Sequence, residues 1–178
     1  MTIYSFWIFD RHCECIYHKD FKRPQRVLRP PTLASTTGDT KENAQQQQKR
    51  VVSSGGPPKG TGPLTVDDEA KLVFGVVFSL RNMVTKLAGD RESFFAFKTS
   101  KYKLHFFETQ TNLRFVMVTD VRVEGIRPIL EQIYAGLYVE YVVKNPLSPP
   151  EHPGGEGVNN ELFSLGLDRF LTPLEIFE

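Results

Sequence analysis

The stretch IYSFWIF at positions 3–9 is apolar on both sides of a period-two pattern. Ile3, Ser5, Trp7 and Phe9 fall on one face, Tyr4, Phe6 and Ile8 on the other, which predicts a central strand covered on both sides. Asp10, Arg11 and His12 break the run and 14–17 restarts it, so the chain opens with a β-hairpin. Farther on, Val66, Ala70, Val73, Val77, Leu80, Val84 and Leu87 recur at steps of four and three. That stripe is a helix, with Thr65 as N-cap, Asp67, Asp68 and Glu69 in the first turn, and Gly89 as its stop. Phe74 and Phe78 lie on one flank of the stripe and Leu72, Val76 and Met83 on the other. The apolar arc is wider than one sheet contact needs. Either the helix is sunk deep in its own domain or a second protein rests on the excess.

Three segments in close succession, 94–99, 102–108 and 113–119, carry strand patterns separated by short polar turns, an antiparallel meander. A helix over 126–144 follows, with Pro128 in its first turn and Asn145-Pro146 at its end. One face holds Ile129, Ile133, Leu137 and Tyr141, and the adjoining one Leu130, Tyr134, Tyr138 and Val142. After a flexible Pro/Gly loop at 148–158, a last helix runs over 159–170, and Thr172-Pro173 breaks it or caps a further turn. The order β-β-α-β-β-β-α-α predicts a mixed α/β (α+β) fold for the whole chain, 1–178, as one domain.

Between the hairpin and the first helix, residues 22–63 change character: Pro, Gln, Gly and Ser dominate and few large apolar residues remain. Such composition cannot bury enough surface to offset the entropy of ordering, which predicts a disordered basic insertion. Residues 22–60 hold eight Lys and Arg against Asp39 and Glu42, a net +6, so the remainder of a chain whose total is +1 carries −5. That balance argues against a surface built throughout for nucleic acid.

The opening lacks a basic n-region, a long apolar core and a small-residue cleavage site, and no stretch reaches the length of a spanning helix, so a soluble intracellular chain is expected. Cys13 and Cys15 with His12 and His18 lack the paired-knuckle spacing of zinc sites, and two residues apart in a strand they would line up as small packing groups. A thiol enzyme built on them would need a low-pKa cysteine. His105, inside a strand without nucleophile or carboxylate at catalytic spacing, reads as a satisfied core histidine. GGPPKGTGP lacks the spacing of a phosphate-binding loop. No catalytic residue, cofactor or metal is expected.

With these elements in hand, the chain resembles the longin-fold subunits of the transport protein particle, TRAPP, and among them the small Bet-five type. The motifs that carry the resemblance are IYSFWIFDRHCECIY, DDEAKLVFGVVFSLRNMVTKL, KLHFFETQTNLRFVMVTD and QIYAGLYVEYVVKNPLSP. The resemblance implies a five-stranded antiparallel sheet with one helix on one face and two on the other. It further implies a non-catalytic subunit of a vesicle-tethering complex that acts as guanine-nucleotide exchange factor for a Rab-type GTPase in ER-to-Golgi and Golgi traffic. Partners would be other small longin-type and Bet-three-type subunits and, through the assembly, the GTPase. Localisation would be cytoplasmic, peripheral at cis-Golgi and endoplasmic reticulum membranes. The positions expected to contact partners are Phe74, Phe78, Arg81 and Met83. A small adaptor-coat subunit or another longin-domain trafficking protein is the alternative.

Overall fold

The structure, a computed structural model, describes residues 2–21, 65–89, 94–149, 151–152 and 157–175. The described elements form one compact unit. The predicted insertion at 22–63 lies outside the described residues, as does part of the 148–158 loop.

Five strands, β1 (Ile3–Phe9), β2 (Cys15–Asp20), β3 (Ala96–Lys98), β4 (Lys103–Glu108) and β5 (Arg114–Thr119), make one sheet in the order β2-β1-β5-β4-β3. Every pair is antiparallel. β1 has a partner on each side, as its two apolar faces require. Helix α1 (Val66–Ala88) follows the hairpin; Thr65 Oγ1 accepts the Asp68 N–H at 3.2 Å, and Gly89, at φ 87°, ends it. Helices α2 (Ile126–Gln132) and α3 (Glu161–Glu175) come after the meander.

Two cores sandwich the sheet. On one side Trp7, Phe9, Leu104, Phe106 and Val116 meet Ala70 and Val77 of α1. On the other, Phe6, Ile8, Phe115 and Met117 pack against Leu130 and Ile133 and against Phe163, Leu167 and Leu171 of α3. One helix therefore covers one face, while α2 and α3 share the other.

Three local departures from strict periodicity have physical causes. Ile3 packs with Phe6 and Ile8, not with Trp7 and Phe9 as alternation predicts, because the register against β5 slips between Ile3 and Ser5. An extra residue in one strand reverses the faces beyond it. Cys13 does not enter β2 to pack beside Cys15: it sits exposed in the turn at φ 70°. Most consequential is the second predicted helix. It is α-helical only over α2, then continues as a π-helix over Ile133–Val143, in which the Lys144 N–H reaches back five residues to the Val139 carbonyl. At about 3.6 residues per turn, Ile133 and Val142 would point to opposite sides of an α-helix. The wider turn puts Ile133, Tyr138 and Val142 all in the core.

The end of the sheet at β2 is closed by the chain itself. Pairing Ile8 with Tyr17 and Phe9 with Cys15 leaves Ile16 as a bulge, and its carbonyl accepts the Val158 N–H at 2.6 Å. Asn160 then starts α3: its Oδ1 accepts the Leu162 N–H, and its Nδ2 donates to the Tyr141 carbonyl of the π-helix. α3 runs past the predicted stop at 170 because Leu171 extends the buried stripe of Phe163 and Leu167.

Candidate functional site

Helix α1 is amphipathic in an unusual proportion. Only Ala70 and Val77 are buried in the sheet, with Val73, Phe74, Leu80 and Val84 half-buried beside them. The flanks carry the excess: Leu72 is 57% exposed, Phe78 52% and Met83 50%. Successive residues advance about 100° around a helix, which sorts these side chains into two groups. Phe74, Phe78 and Arg81 lie on one flank; Met83 lies on the opposite one, with Leu72 and Val76. The structure therefore brings together three of the four expected contact residues and separates Met83 from them.

The aromatic flank is built from the sheet upward. Phe9, at the end of β1, meets Phe74 with ring centroids 5.5 Å apart, and Phe74 stacks on Phe78 at 6.1 Å. The Arg114 guanidinium lies 5.7 Å from the Phe74 ring centroid. Arg114 is itself fixed from two sides, since Nε donates to Glu108 Oε1 at 3.1 Å and Nη1 to the Asp10 carbonyl at 3.3 Å. The other Glu108 oxygen takes Arg81 Nη2 at 3.1 Å. Arg81 thus straps α1 to β4.

Glu108 and Arg114 were missed in the sequence, although a signal for them exists. They pair directly across the β4–β5 hairpin, so opposite charges on either side of the turn between the strands mark an inter-strand ion pair once the register is known. A shallow cleft of about 410 Å³ adjoins the flank, where Cys13, Glu14 and Cys15 of the hairpin turn face Asp67, Lys71 and Phe74 of α1.

The titratable groups that depart most from ordinary values are held neutral. Burial pushes the Cys15 thiol up to about 11, the reverse of what a nucleophilic cysteine needs. Burial, with the Lys103 charge, lowers His105 to about 4, and its Nε2 is hydrogen-bonded to Thr119 Oγ1 at 2.9 Å. Tyr138, buried and facing the charge of Asp10, is raised to about 12. The outer surface of α1 offers aromatic rings, aliphatic side chains and a closed charge network.

A family model described as the Sybindin-like family matches residues 3–174 of the chain. Transport protein particle subunit bet5 of Schizosaccharomyces pombe is 40% identical over 179 residues, covering 99% of this chain and 100% of that protein. Trafficking protein particle complex subunit 1 of Homo sapiens is 34% identical, covering 99% of this chain and 97% of its own length. Trafficking protein particle complex subunit BET5 of Saccharomyces cerevisiae is 31% identical, covering 98% of each.

Proposed function

The chain belongs to the Sybindin-like family, and from that premise we propose that it is a structural subunit of a transport protein particle, a multisubunit complex of vesicle traffic. It has no catalytic centre of its own in this reading. It contributes a longin platform to an assembly that promotes nucleotide exchange on a Rab-type GTPase in ER-to-Golgi and Golgi traffic. The chain is one domain interrupted by the 22–63 insertion. Other small subunits of longin and Bet-three type are its direct neighbours, and it reaches cis-Golgi and endoplasmic reticulum membranes peripherally, through the complex. Among the described residues no helix is long and apolar enough to cross a membrane, which accords with attachment through partners.

The observation that carries this reading is the unshared apolar surface of α1. A helix serving only its own sheet would need the Ala70–Val77 stripe and nothing like the exposed Phe78, Leu72 and Met83. Exposed aromatic and Met side chains rimmed by polar ones are the composition of a protein contact. The test is affinity purification of the tagged chain from its native cell, with mass spectrometry of the co-purifying proteins and a nucleotide-release assay on a Rab-type GTPase. The expected result is a stoichiometric set of small particle subunits with exchange activity, and their loss from Phe74→Asp and Phe78→Asp variants. Recovery of coat adaptors instead, or of the chain alone, overturns the reading.

A further inference from the structure

The geometry points to Arg114, locked by Glu108, as the positioning residue that sets the pose of the Phe74–Phe78 pair, an inference that rests on the reading of α1 as a subunit contact. Both side chains of the lock are largely out of water: Arg114 is 13% exposed and Glu108 18%. At such burial the Arg114 guanidinium is held by the Glu108 carboxylate, the Asp10 carbonyl and, at 3.5 Å, the Cys13 Sγ, with the Phe74 ring centroid 5.7 Å away. Phe74 cannot swing outward without losing Arg114 on one side and Phe9 on the other. Phe78, half in solvent, has Phe74 as its stacking partner. The order of the exposed ring therefore descends from the β4–β5 ion pair through Arg114 and Phe74. An exposed aromatic ring already held in its bound pose loses less freedom on association than a free one.

The role belongs to Arg114 more than to Arg81. Arg81 is 44% exposed and pairs with the second oxygen of Glu108. Lysine at 114 would keep the charge facing Glu108 but not the fork of donors that also reaches the Asp10 carbonyl. Arg114→Lys is therefore the variant that separates charge from pose, and Glu108→Gln checks it from the other side of the pair.

The experiment uses the full-length chain and, as probe, the purified particle subunit whose recovery Phe78→Asp abolishes. Arg114→Lys is expected to weaken binding about three- to tenfold, as loss of a pre-ordered contact does. The thermal midpoint should stay within a few degrees of wild type, and ring-proton shifts of Phe74 and Phe78 should move while those of Phe163, on the opposite face, stay. Glu108→Gln is expected to act in the same direction. Combined with Phe78→Ala, which removes the ring being posed, Arg114→Lys should cost nothing further. Wild-type affinity for Arg114→Lys, or fold-losses that multiply in the double variant, would overturn the inference while leaving the α1 contact intact. If Phe78→Asp releases no subunit, the contact reading fails first and this one falls with it.

Discussion

Two cysteines two residues apart have opposite surroundings. Cys13 is exposed in a left-handed turn position, whereas Cys15 begins β2, half-buried, with its thiol pushed up to about 11. Only the thiolate alkylates, so brief iodoacetamide treatment of the folded protein should label Cys13 at least about tenfold faster than Cys15, read by peptide mass spectrometry. Equal labelling would contradict the burial of Cys15. His105 gives a second residue-scale prediction. Its folded value lies near 4 against an ordinary 6.5, so the unfolded chain takes up a proton first as pH falls. Stability should be undiminished by this group above about 6.5 and be lost progressively down to about 4, by on the order of 2–3 kcal/mol. Denaturant titrations across that window should show a shallower decline for His105→Gln, which removes the titration but keeps a polar partner for Thr119. A variant as steep as wild type would assign the decline to other groups.

Elements are held together here by a few close approaches as much as by broad packing. A Cβ at Gly157 would lie 2.6 Å from the Ile16 carbonyl, the same oxygen that accepts the Val158 N–H. Gly157→Ala must therefore push the segment before α3 away from β2, at a cost of roughly 1–3 kcal/mol. Hydrogen exchange should show faster exchange at the Val158 amide, with the β4–β5 amides unaffected; unchanged protection at Val158 would mean that β2 closes without this contact. The π-helix makes the same point in reverse. Apolar residues fill both faces predicted for 126–144, and only the spacing of the buried ones, Ile133, Tyr138 and Val142, shows which turn the backbone takes.

For the whole molecule the asymmetry lies between the two sides of the sheet. α2, the π-helix and α3 enclose a core that runs from Ile3 to Leu171, whereas the core beneath α1 is smaller and leaves much of the helix uncovered. A chain with that much unshared apolar surface gains stability from whatever binds it. Co-expression with the small subunits of a transport particle should raise its soluble yield and thermal midpoint. The gain should disappear with Phe78→Asp, a substitution at a half-exposed site that leaves both cores intact. A gain that survives Phe78→Asp would place the stabilising contact elsewhere.

Pattern alone determined the element order, the interior place of β1, the limits of α1 and the surplus of apolar flank upon it, because each follows from local periodicity, capping residues and turn chemistry. Those signals act between residues a few positions apart and so survive in a linear reading. Tertiary structure decided what depends on distant segments meeting. The bulge that carries Ile3 to the other face appears only against β5, and the π-turn only against the core that Tyr138 and Val142 must reach. Arg81, expected among the partner-contact positions, pairs with Glu108 from a strand 27 positions away (108 − 81). Charge along a chain shows what a side chain can bind, and the fold determines which of those partners lies within reach.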